Sequence, residues 1–383
     1  MSPGASAMSA ALADDETGMS THEEMLMHNE IRPSLWDALP RPVAADPPAP
    51  PLPLSFEEVA ALHARAIERR VLDGNTALGL VGEMIDYHLR TGGKRMRAFL
   101  PVWICINLGG RAEAALDFGA GLELIHNATL VHDDLQDGDT HRRGRPTVWH
   151  RWGAAQAINA GDALIFQAFA RFAAAPELRR VLDVIALLMV RVVEGQALDS
   201  QLQLPRGHEA AVEPSLATWE VMARGKTGAL FAACMVAGAA AADASEAVLA
   251  NAACFGEDLG LLFQVQDDYL DLVGDKGRER QGRDLMEGKL SFPVMWAYEH
   301  AAPEDVAPIR RILELPVAER TWAIADTALA ALERCGALAA TADWLLARAA
   351  EAERHPMARV VPGLVERCLK PVQHNLAQPG RGG

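Results

Sequence analysis

Two acidic clusters of the same spacing lie far apart in this sequence. Each has aspartates at positions i, i+1 and i+4, namely Asp133, Asp134 and Asp137 in the first and Asp267, Asp268 and Asp271 in the second. On a helix, residues i and i+4 share a face and residue i+1 lies beside them. Clustered carboxylates repel one another unless cations neutralise them, and Mg²⁺ bound there keeps coordination positions for water and phosphate oxygens. The clusters therefore predict a clamp for a magnesium-bound diphosphate, with two solvated helix faces as the alternative.

Basic and polar residues stand close to the acidic clusters in the sequence. Lys94 and Arg97 are three residues apart and so share a helix face, whereas Arg142 and Arg143 directly follow the first cluster. His126 lies two helical turns before the first aspartate. Other polar candidates occur later in the chain: Lys226, Thr227, Gln264 and Lys289. Each alone would be an ordinary side chain, but together they predict two diphosphate sites, one filled through metal ions and one by cations directly.

The bulk composition restricts the class of protein. The chain has 383 residues and a formal net charge of −15, so no overall basic field exists to attract a nucleic acid. Aromatic residues make up only 5%, and alanine-rich stretches favour helix. Five scattered cysteines without a CxxC pair predict a reduced, cytoplasmic protein without structural zinc. We expect no secretory signal and no integral membrane segment, because the longest uncharged apolar stretch, residues 229–242, is shorter than the ~18 residues of a span.

The sequence divides into an N-terminal extension and a helical body. Residues 1–54 are rich in proline and alanine, which predicts a disordered extension. Residues 55–375 follow helical periodicity with breaks at glycine and proline, and Ser55 is a candidate N-cap. Strand-like alternation is almost absent, so we predict one all-α domain. The segments expected to be helical are 55–72, 95–107, 112–135, 154–173, 178–202, 215–241, 244–272, 291–301, 320–333, 336–354 and 358–368.

These motifs form an ordered set that resembles a known family. The matching segments, within residues 60–300, are GGKRMR, ELIHNATLVHDDLQDGDTHRRGRPTVW, NAGDAL, EGQALD, KTGALF, FQVQDDYLDLVGD and GRDLMEGKLSFPV. Their order resembles the trans-isoprenyl diphosphate synthases of the polyprenyl synthetase group, in particular geranylgeranyl diphosphate synthases. The resemblance implies a helical bundle of the isoprenoid synthase type around a central apolar cavity. It also implies a homodimer.

The resemblance implies a prenyltransferase that joins isopentenyl diphosphate head-to-tail to an allylic diphosphate through an allylic carbocation. Three Mg²⁺ ions would be held by the six aspartates of the two clusters. The residues that it assigns to catalysis are Asp133, Asp137, Asp267, Lys226 and Arg142. It assigns to the allylic diphosphate Arg142, Lys226, Thr227, Gln264 and Lys289, and to isopentenyl diphosphate Lys94, Arg97, His126 and Arg143.

The residues just before the first cluster bear on product length. In the family that the chain resembles, a bulky aromatic residue five positions before the first aspartate closes the cavity. Here Ala128 occupies that position and Thr129 is next, both small, so we expect a product of C20 or longer, with C20 as the first expectation. Phe166 and Phe169 are candidate stoppers or ordinary core aromatics. A C15 farnesyl product is the alternative.

One segment departs from the family pattern, and three other functions are alternatives. The family has a Gly-Lys pair after the second cluster, and here Lys276, Arg278 or Arg280 would replace that lysine. A class I terpene cyclase would lack the two basic motifs. A non-catalytic subunit of a heteromeric prenyl synthase would have lost aspartates from one cluster. A helical metal-binding protein without chemistry would not need the paired arginines.

Overall fold

In the computed structural model of this protein, residues 53–73, 79–204, 208–274 and 280–376 are described. Within these ranges the chain is helical except for one two-stranded hairpin, which confirms the all-α prediction. The predicted extension, apart from residues 53 and 54, lies outside the described residues. The hairpin consists of β1 (His141–Arg142) and β2 (Arg145–Pro146), and a π-helical segment, Arg224–Gly228, joins α8 to α9. The α-helices are α1 (Phe56–Leu72), α2 (Gly79–Leu89), α3 (Met96–Asn107), α4 (Ala112–Gln136), α5 (Val148–Trp152), α6 (Ala154–Ala174), α7 (Leu178–Leu202), α8 (Leu216–Ala223), α9 (Ala229–Ala241), α10 (Glu246–Val273), α11 (Arg283–Glu287), α12 (Phe292–His300), α13 (Pro303–Glu314), α14 (Trp322–Arg334), α15 (Ala337–Arg354) and α16 (Leu364–Leu376).

Most of the expected helices are present, and the last of them is shifted toward the C-terminus. Ser55 caps α1 as predicted: its hydroxyl accepts a hydrogen bond from the backbone of Glu58, whose carboxylate accepts one from the backbone of Ser55. The sequence pattern missed α2, α5, α11 and α13. Helices α5 and α11 have only five residues each, too few to show a helical period, and α13 contains Pro308.

Helices α4, α9 and α10 form the centre of the bundle. Every residue of α9 is buried, as expected for a helix that is apolar on all sides. Helix α10 packs against α9 and α15, and α4 packs against α3 and α6. By length and composition α10 alone among the described helices would suffice to cross a membrane, but 72% of its apolar window is buried inside the protein. It is therefore a core helix, and its C-terminal end carries the second acidic cluster.

Two glycine contacts set the distances between the elements around that centre. A Cβ on Gly195 of α7 would lie 2.1 Å from the backbone nitrogen of Lys226 in the π-helical segment. A Cβ on Gly260 of α10 would lie 2.4 Å from Cα of Gly228 at the end of the same segment. Larger residues at these positions would push the backbones apart. The glycines therefore hold α7, the π-helical segment and α10 close enough to share one site.

Candidate active site

One cavity of about 500 Å³ collects side chains from both acidic clusters. Its wall is formed by the C-terminal halves of α4, α7 and α10, by the π-helical segment and by residues 284–291. The predicted site residues that line it are Arg97, His126, Thr129, Asp133, Asp137, Arg142, Lys226, Thr227, Gln264, Asp267, Asp268 and Lys289. The predicted residues that do not line it are Lys94, Ala128, Asp134, Arg143 and Asp271. The structure thus brings together residues that lie more than a hundred positions apart.

The two acidic clusters present different members to the cavity. On α4 the i and i+4 residues, Asp133 and Asp137, line it, whereas on α10 the i and i+1 residues, Asp267 and Asp268, do so. Asp134 is turned into the protein, where both the Nε and Nη2 atoms of Arg142 lie 2.7 Å from its Oδ1 atom. Asp271, the remaining member of the second cluster, is also buried, and its carboxylate accepts a hydrogen bond of 2.9 Å from the backbone of residue 284.

Burial disfavours the ionised form of these carboxylates unless a cation neutralises them. It raises the pKa of Asp133, against the attraction of Lys226. Burial likewise raises the pKa of Asp134 to about 6, against Arg142, and raises that of Asp268 well above its ordinary value. A bound divalent cation would reverse this effect by stabilising the charged forms.

Two lysines face the carboxylates across the cavity. The Nζ atom of Lys226 lies 2.6 Å from Oδ2 of Asp199, a residue of α7. Lys289 lies 3.3 Å from Oδ2 of Asp137 and 2.9 Å from Oε2 of Glu287. Burial opposes the charge of both lysines, but the neighbouring carboxylates prevail and raise the pKa of each. Both lysines therefore stay protonated, as a site for an anion requires.

A hydrogen-bonded chain joins the π-helical segment to the second acidic cluster. The hydroxyl of Thr227 donates to Oε1 of Gln264 over 2.7 Å, and Nε2 of Gln264 donates to Oδ1 of Asp268 over 3.0 Å. The other oxygen of Asp268 accepts a hydrogen bond of 2.8 Å from the backbone of Phe292. The orientation of Asp268 is thus fixed by protein donors.

The hairpin sends its two consecutive arginines in different directions. Arg143 and Gly144 form the two-residue loop, both with positive φ (52° and 76°), as a tight hairpin turn requires. Arg142 reaches back to Asp134 and the cavity. The guanidinium of Arg143 lies against Gly93, where an added Cβ would be 2.8 Å from its Nη1 atom. Gly93 therefore leaves room for Arg143 beside the GGKR loop.

Arg97 and His126 also line the cavity. The Arg97 guanidinium lies over the ring of Phe231 at 5.0 Å and over that of Phe263 at 5.9 Å. His126 is half-buried, and desolvation together with Arg97 lowers its pKa well below the ordinary value. His126 is therefore neutral and acts as a hydrogen-bonding group. Lys94 is exposed on the loop before α3, outside the cavity.

Part of the remaining cavity wall is apolar. It includes Leu130, Val192, Val193, Met222, Leu230, Phe263 and Leu290. Thr129 lines the wall, whereas Ala128, one residue earlier, is buried away from it. The expectation that Phe166 or Phe169 fills the cavity or the core is wrong, since their side chains are 71% and 51% exposed. Both side chains lie on the outward face of α6. The prediction failed because helical spacing alone does not show which face of α6 packs against α4.

Several cavity residues were missed by the sequence analysis. Gln196 and Asp199 of α7 belong to the EGQALD segment, and Asp284 belongs to GRDLMEGK, so the motifs were noticed without these side chains. Of the candidates to replace the family's lysine, Arg280 pairs with Asp326 at 2.6 Å and does not line the cavity. Positions 276 and 278 lie outside the described residues.

The donor set of the cavity suits a divalent ion that shares its coordination with a substrate. The acidic side chains on its wall supply oxygen ligands. Within the described part of the chain, no three acidic, histidine or cysteine side chains converge into a closed cage. Mg²⁺ is usually held in this way, by one or two carboxylates together with waters and substrate phosphates.

Comparison with known proteins agrees with this geometry. The model of the family described as "Polyprenyl synthetase" matches residues 79–327, a range that includes both acidic clusters and the whole cavity wall. The chain belongs to the polyprenyl synthetase family. All the residues that line the cavity therefore lie in the part of this polyprenyl synthetase that its family shares.

Individual relatives support the assignment. The short chain isoprenyl diphosphate synthase of Methanocaldococcus jannaschii is 37% identical over 232 residues, which are 59% of this chain and 68% of the relative. The geranylgeranyl diphosphate synthase of Cyanophora paradoxa is 32% identical over 270 residues, 66% of this chain and 87% of the relative. The crystal structure of geranylgeranyl pyrophosphate synthetase from Pyrococcus horikoshii superposes with a TM-score of 0.72 at 28% identity, covering 85% of this chain and 98% of that one. Other relatives of similar identity are named farnesyl diphosphate synthases.

Proposed function

We propose that this polyprenyl synthetase condenses isopentenyl diphosphate head-to-tail with an allylic diphosphate. The observation that carries the proposal is the composition of one cavity, which is lined by carboxylates, two lysines, Arg97, His126 and apolar side chains. A metal-binding protein without chemistry would not need this combination. A class I cyclase would need one diphosphate site, whereas the cations here form two groups.

Polyprenyl synthetases use divalent metal ions, and we infer that this one uses three Mg²⁺ ions. Asp133, Asp137 and Asp267 lie on the cavity wall and would hold them, with Asp268 beside them. Asp134 and Asp271 were also expected as ligands; their buried positions and protein partners suit a supporting role. When bound, the metal ions neutralise the allylic diphosphate and make it a better leaving group.

The side chains on the wall account for the other requirements of the reaction. Lys226, Thr227, Gln264, Lys289 and Arg142 would hold the allylic diphosphate and stabilise the charge that grows on it as the C–O bond breaks. The bonding electrons leave with the diphosphate, so an allylic carbocation remains. The double bond of isopentenyl diphosphate attacks this cation, and the proton lost from the new unit goes to the departing diphosphate. The apolar wall excludes water, which would otherwise capture the cation.

We assign isopentenyl diphosphate to a second group of residues, which are the cations Lys94, Arg97 and Arg143 and the neutral His126. Arg97 and His126 line the cavity, and Arg143 lies against Gly93 of the loop that carries Lys94. This second group contains no carboxylate of the acidic clusters, so the diphosphate there would be held by direct charge-assisted hydrogen bonds.

The product that we propose has C20 length or longer, with C20 as the first expectation. Support comes from the small side chain of Thr129 and the absence of a bulky aromatic residue at the two positions before Leu130. The test is incubation of the purified protein with Mg²⁺, isopentenyl diphosphate and allylic primers, followed by chromatography of the dephosphorylated alcohols. No condensation with any primer would refute the function, and a dominant C15 alcohol would refute the chain length.

Thr129→Phe is expected to shorten the dominant product by at least one isoprene unit. Thr129 lies on the cavity wall one turn before Asp133, so a phenyl ring there would occupy the space that the growing chain needs. Chromatography of the alcohols measures the change. Thr129→Ser is the control, since it keeps the small side chain and the hydroxyl that donates to the His126 carbonyl over 2.8 Å. An unchanged distribution in the Phe variant would show that another surface limits the chain.

We also propose a homodimer that forms through the outer faces of α6 and α7. Phe166 and Phe169 on α6 and Leu182 and Val190 on α7 are exposed apolar side chains, which are costly to leave in water. We expect Phe166→Asp to shift the protein from dimer to monomer in size-exclusion chromatography with light scattering. Leu62→Asp on α1 is the control, because that leucine is 68% exposed but isolated from these helices. A monomeric wild-type protein would contradict the proposal.

The remaining expectations about cell biology are also proposals. We propose that residues 55–375 form the synthase domain, that the protein acts in the cytoplasm, and that it binds no nucleic acid. The five cysteines, all within the described residues, form no disulfide bond, and the net charge is −15. Fractionation of cells that express the tagged protein would test the compartment.

A further inference from the structure

A buried carboxylate lies on α4 close to His126, one of the residues that we assign to isopentenyl diphosphate. Glu123 is on α4, three residues before His126, and is 4% exposed. Its Oε1 atom lies 3.5 Å from Nη1 of Arg95 and accepts a hydrogen bond of 3.2 Å from Nδ2 of Asn127. Its Oε2 atom is buried and has no hydrogen-bond donor within the described part of the chain. A carboxylate with a free buried oxygen among cations acts on them mainly through its charge.

The neighbouring arginines are positioned without Glu123. Arg95 donates to the carbonyl of Leu89 over 2.6 Å and to Glu68 over 3.1 Å, both closer than Glu123. Arg97 is held over Phe231, and Arg143 rests against Gly93 at the turn of the hairpin. The removal of Glu123 would therefore leave these guanidinium groups close to where they are.

Glu123 interacts electrostatically with Arg95, Arg97 and Arg143. It makes an ion pair with Arg95. Burial lowers the pKa of Arg97, and Glu123 opposes this effect. Burial and the neighbouring arginines lower the pKa of Arg143, and Glu123 again opposes them. Of the three arginines, Arg95 is buried and Arg97 is half-buried, and a cation removed from water is costly without a counter-ion. One carboxylate therefore stabilises the empty cluster.

We propose that Glu123 is the resident counter-ion of the metal-free diphosphate site, and that it limits how tightly this site holds a diphosphate. The inference rests on the proposed function. An incoming diphosphate meets cations whose charge is partly neutralised, so it binds more weakly than to the bare arginines. Weaker binding helps turnover, because the condensation product keeps the diphosphate of isopentenyl diphosphate and must leave the same cations. Glu123 thus acts on the diphosphate through the arginines, as a positioning residue, and it does not touch the reacting atoms.

The test is Glu123→Gln, which keeps the shape and removes the charge. We expect the Kd of isopentenyl diphosphate, measured by calorimetry in EDTA, to fall about tenfold. Steady-state kinetics should show a lower KM for isopentenyl diphosphate together with a lower kcat, since product leaves more slowly. The KM of the allylic substrate should not change. Glu123→Asp, which keeps the charge, should stay within about twofold of the wild type in Kd.

Two control variants distinguish the effect of the Glu123 charge from two general effects, the loss of any buried carboxylate and the loss of any partner of Arg95. Asp117→Asn removes another buried carboxylate of α4, whose partner is Arg70 at 3.4 Å. Glu68→Gln removes the half-exposed partner of Arg95. Both variants should keep the wild-type Kd. If the wild type condenses its substrates but the Kd of Glu123→Gln is unchanged or higher, this inference is wrong and the proposed function stands. If the wild type is inactive, the proposed function is wrong.

Stability gives a second measurement. The Gln variant should melt at a lower temperature than the wild type when empty, and inorganic diphosphate in EDTA should raise its melting temperature more than that of the wild type. A diphosphate supplies the charge that the variant lacks. If the variant stays unfolded even with millimolar diphosphate, or gains no more stability from it than the wild type, the proposal is wrong.

Discussion

Asp267→Asn is expected to lower kcat about 10³-fold or more, and Asp133→Asn should have an effect of similar size. Both carboxylates line the cavity from opposite helices, so each would supply a metal ligand that the other cannot replace. Asparagine keeps the volume but has no negative charge, and the metal ions would bind more weakly. Single-turnover assays over a range of Mg²⁺ concentrations measure both effects. The Mg²⁺ concentration for half-maximal activity should rise in each variant.

Asp258→Asn is the matched control for this prediction. Asp258 lies on α10 like Asp267, but it is exposed and pairs with Arg224 at 3.1 Å, away from the cavity. Its replacement should leave kcat within about twofold, as is usual for a surface ion pair. Circular dichroism would show that all variants are folded. An Asp267→Asn enzyme with activity within tenfold of the wild type would show that this carboxylate does not hold the metal.

Helical spacing predicted the acidic clusters but not which of their members meet the cavity. Spacing fixes the angles between side chains on one helix, about 100° per residue, but not the rotation of that helix about its own axis. Neighbouring helices decide the rotation through packing. On α4 this turns Asp133 and Asp137 to the cavity, and on α10 it turns Asp267 and Asp268 there. The same unknown explains why Thr129 lines the cavity and Ala128 does not.

The acidic residues Asp199 and Glu123, which sequence reasoning missed, have their oppositely charged partners far along the chain. Asp199 meets Lys226 across 27 positions, and the partner of Glu123 on its charged side, Arg95, is 28 positions away. An isolated acid on an amphipathic helix looks like an ordinary surface residue until its neighbours are known. In contrast, the breaks between helices were signalled locally by glycine and proline, and the all-α fold by periodicity, because both depend on residues close in sequence.

The π-helical segment places Lys226 where a growing negative charge needs it. A π-helix is rare and is found mainly at functional sites, and here it lies between two close glycine contacts, at Gly195 and Gly260. These contacts bring the backbone of Lys226 against α7, so its ammonium group meets Asp199 at 2.6 Å. The pair is also near Asp133, whose charge attracts the lysine. A fixed cation beside the metal ligands stabilises the departing diphosphate without having to move.

Lys226→Met is therefore expected to lower kcat by about 10²- to 10³-fold with a smaller change in the KM of isopentenyl diphosphate. Lys226→Arg should recover only part of the activity, because a planar guanidinium fits the place of a compact ammonium poorly. Arg224→Met is the control: it removes a cation from the same π-helical segment, but one that pairs with Glu220 outside the cavity. Pre-steady-state measurement of the first condensation isolates the chemical step from product release. If Lys226→Met and Arg224→Met were equally active in that step, Lys226 would only shape the π-helical segment. If Lys226→Met alone is slow, the charge of Lys226 acts on the leaving group.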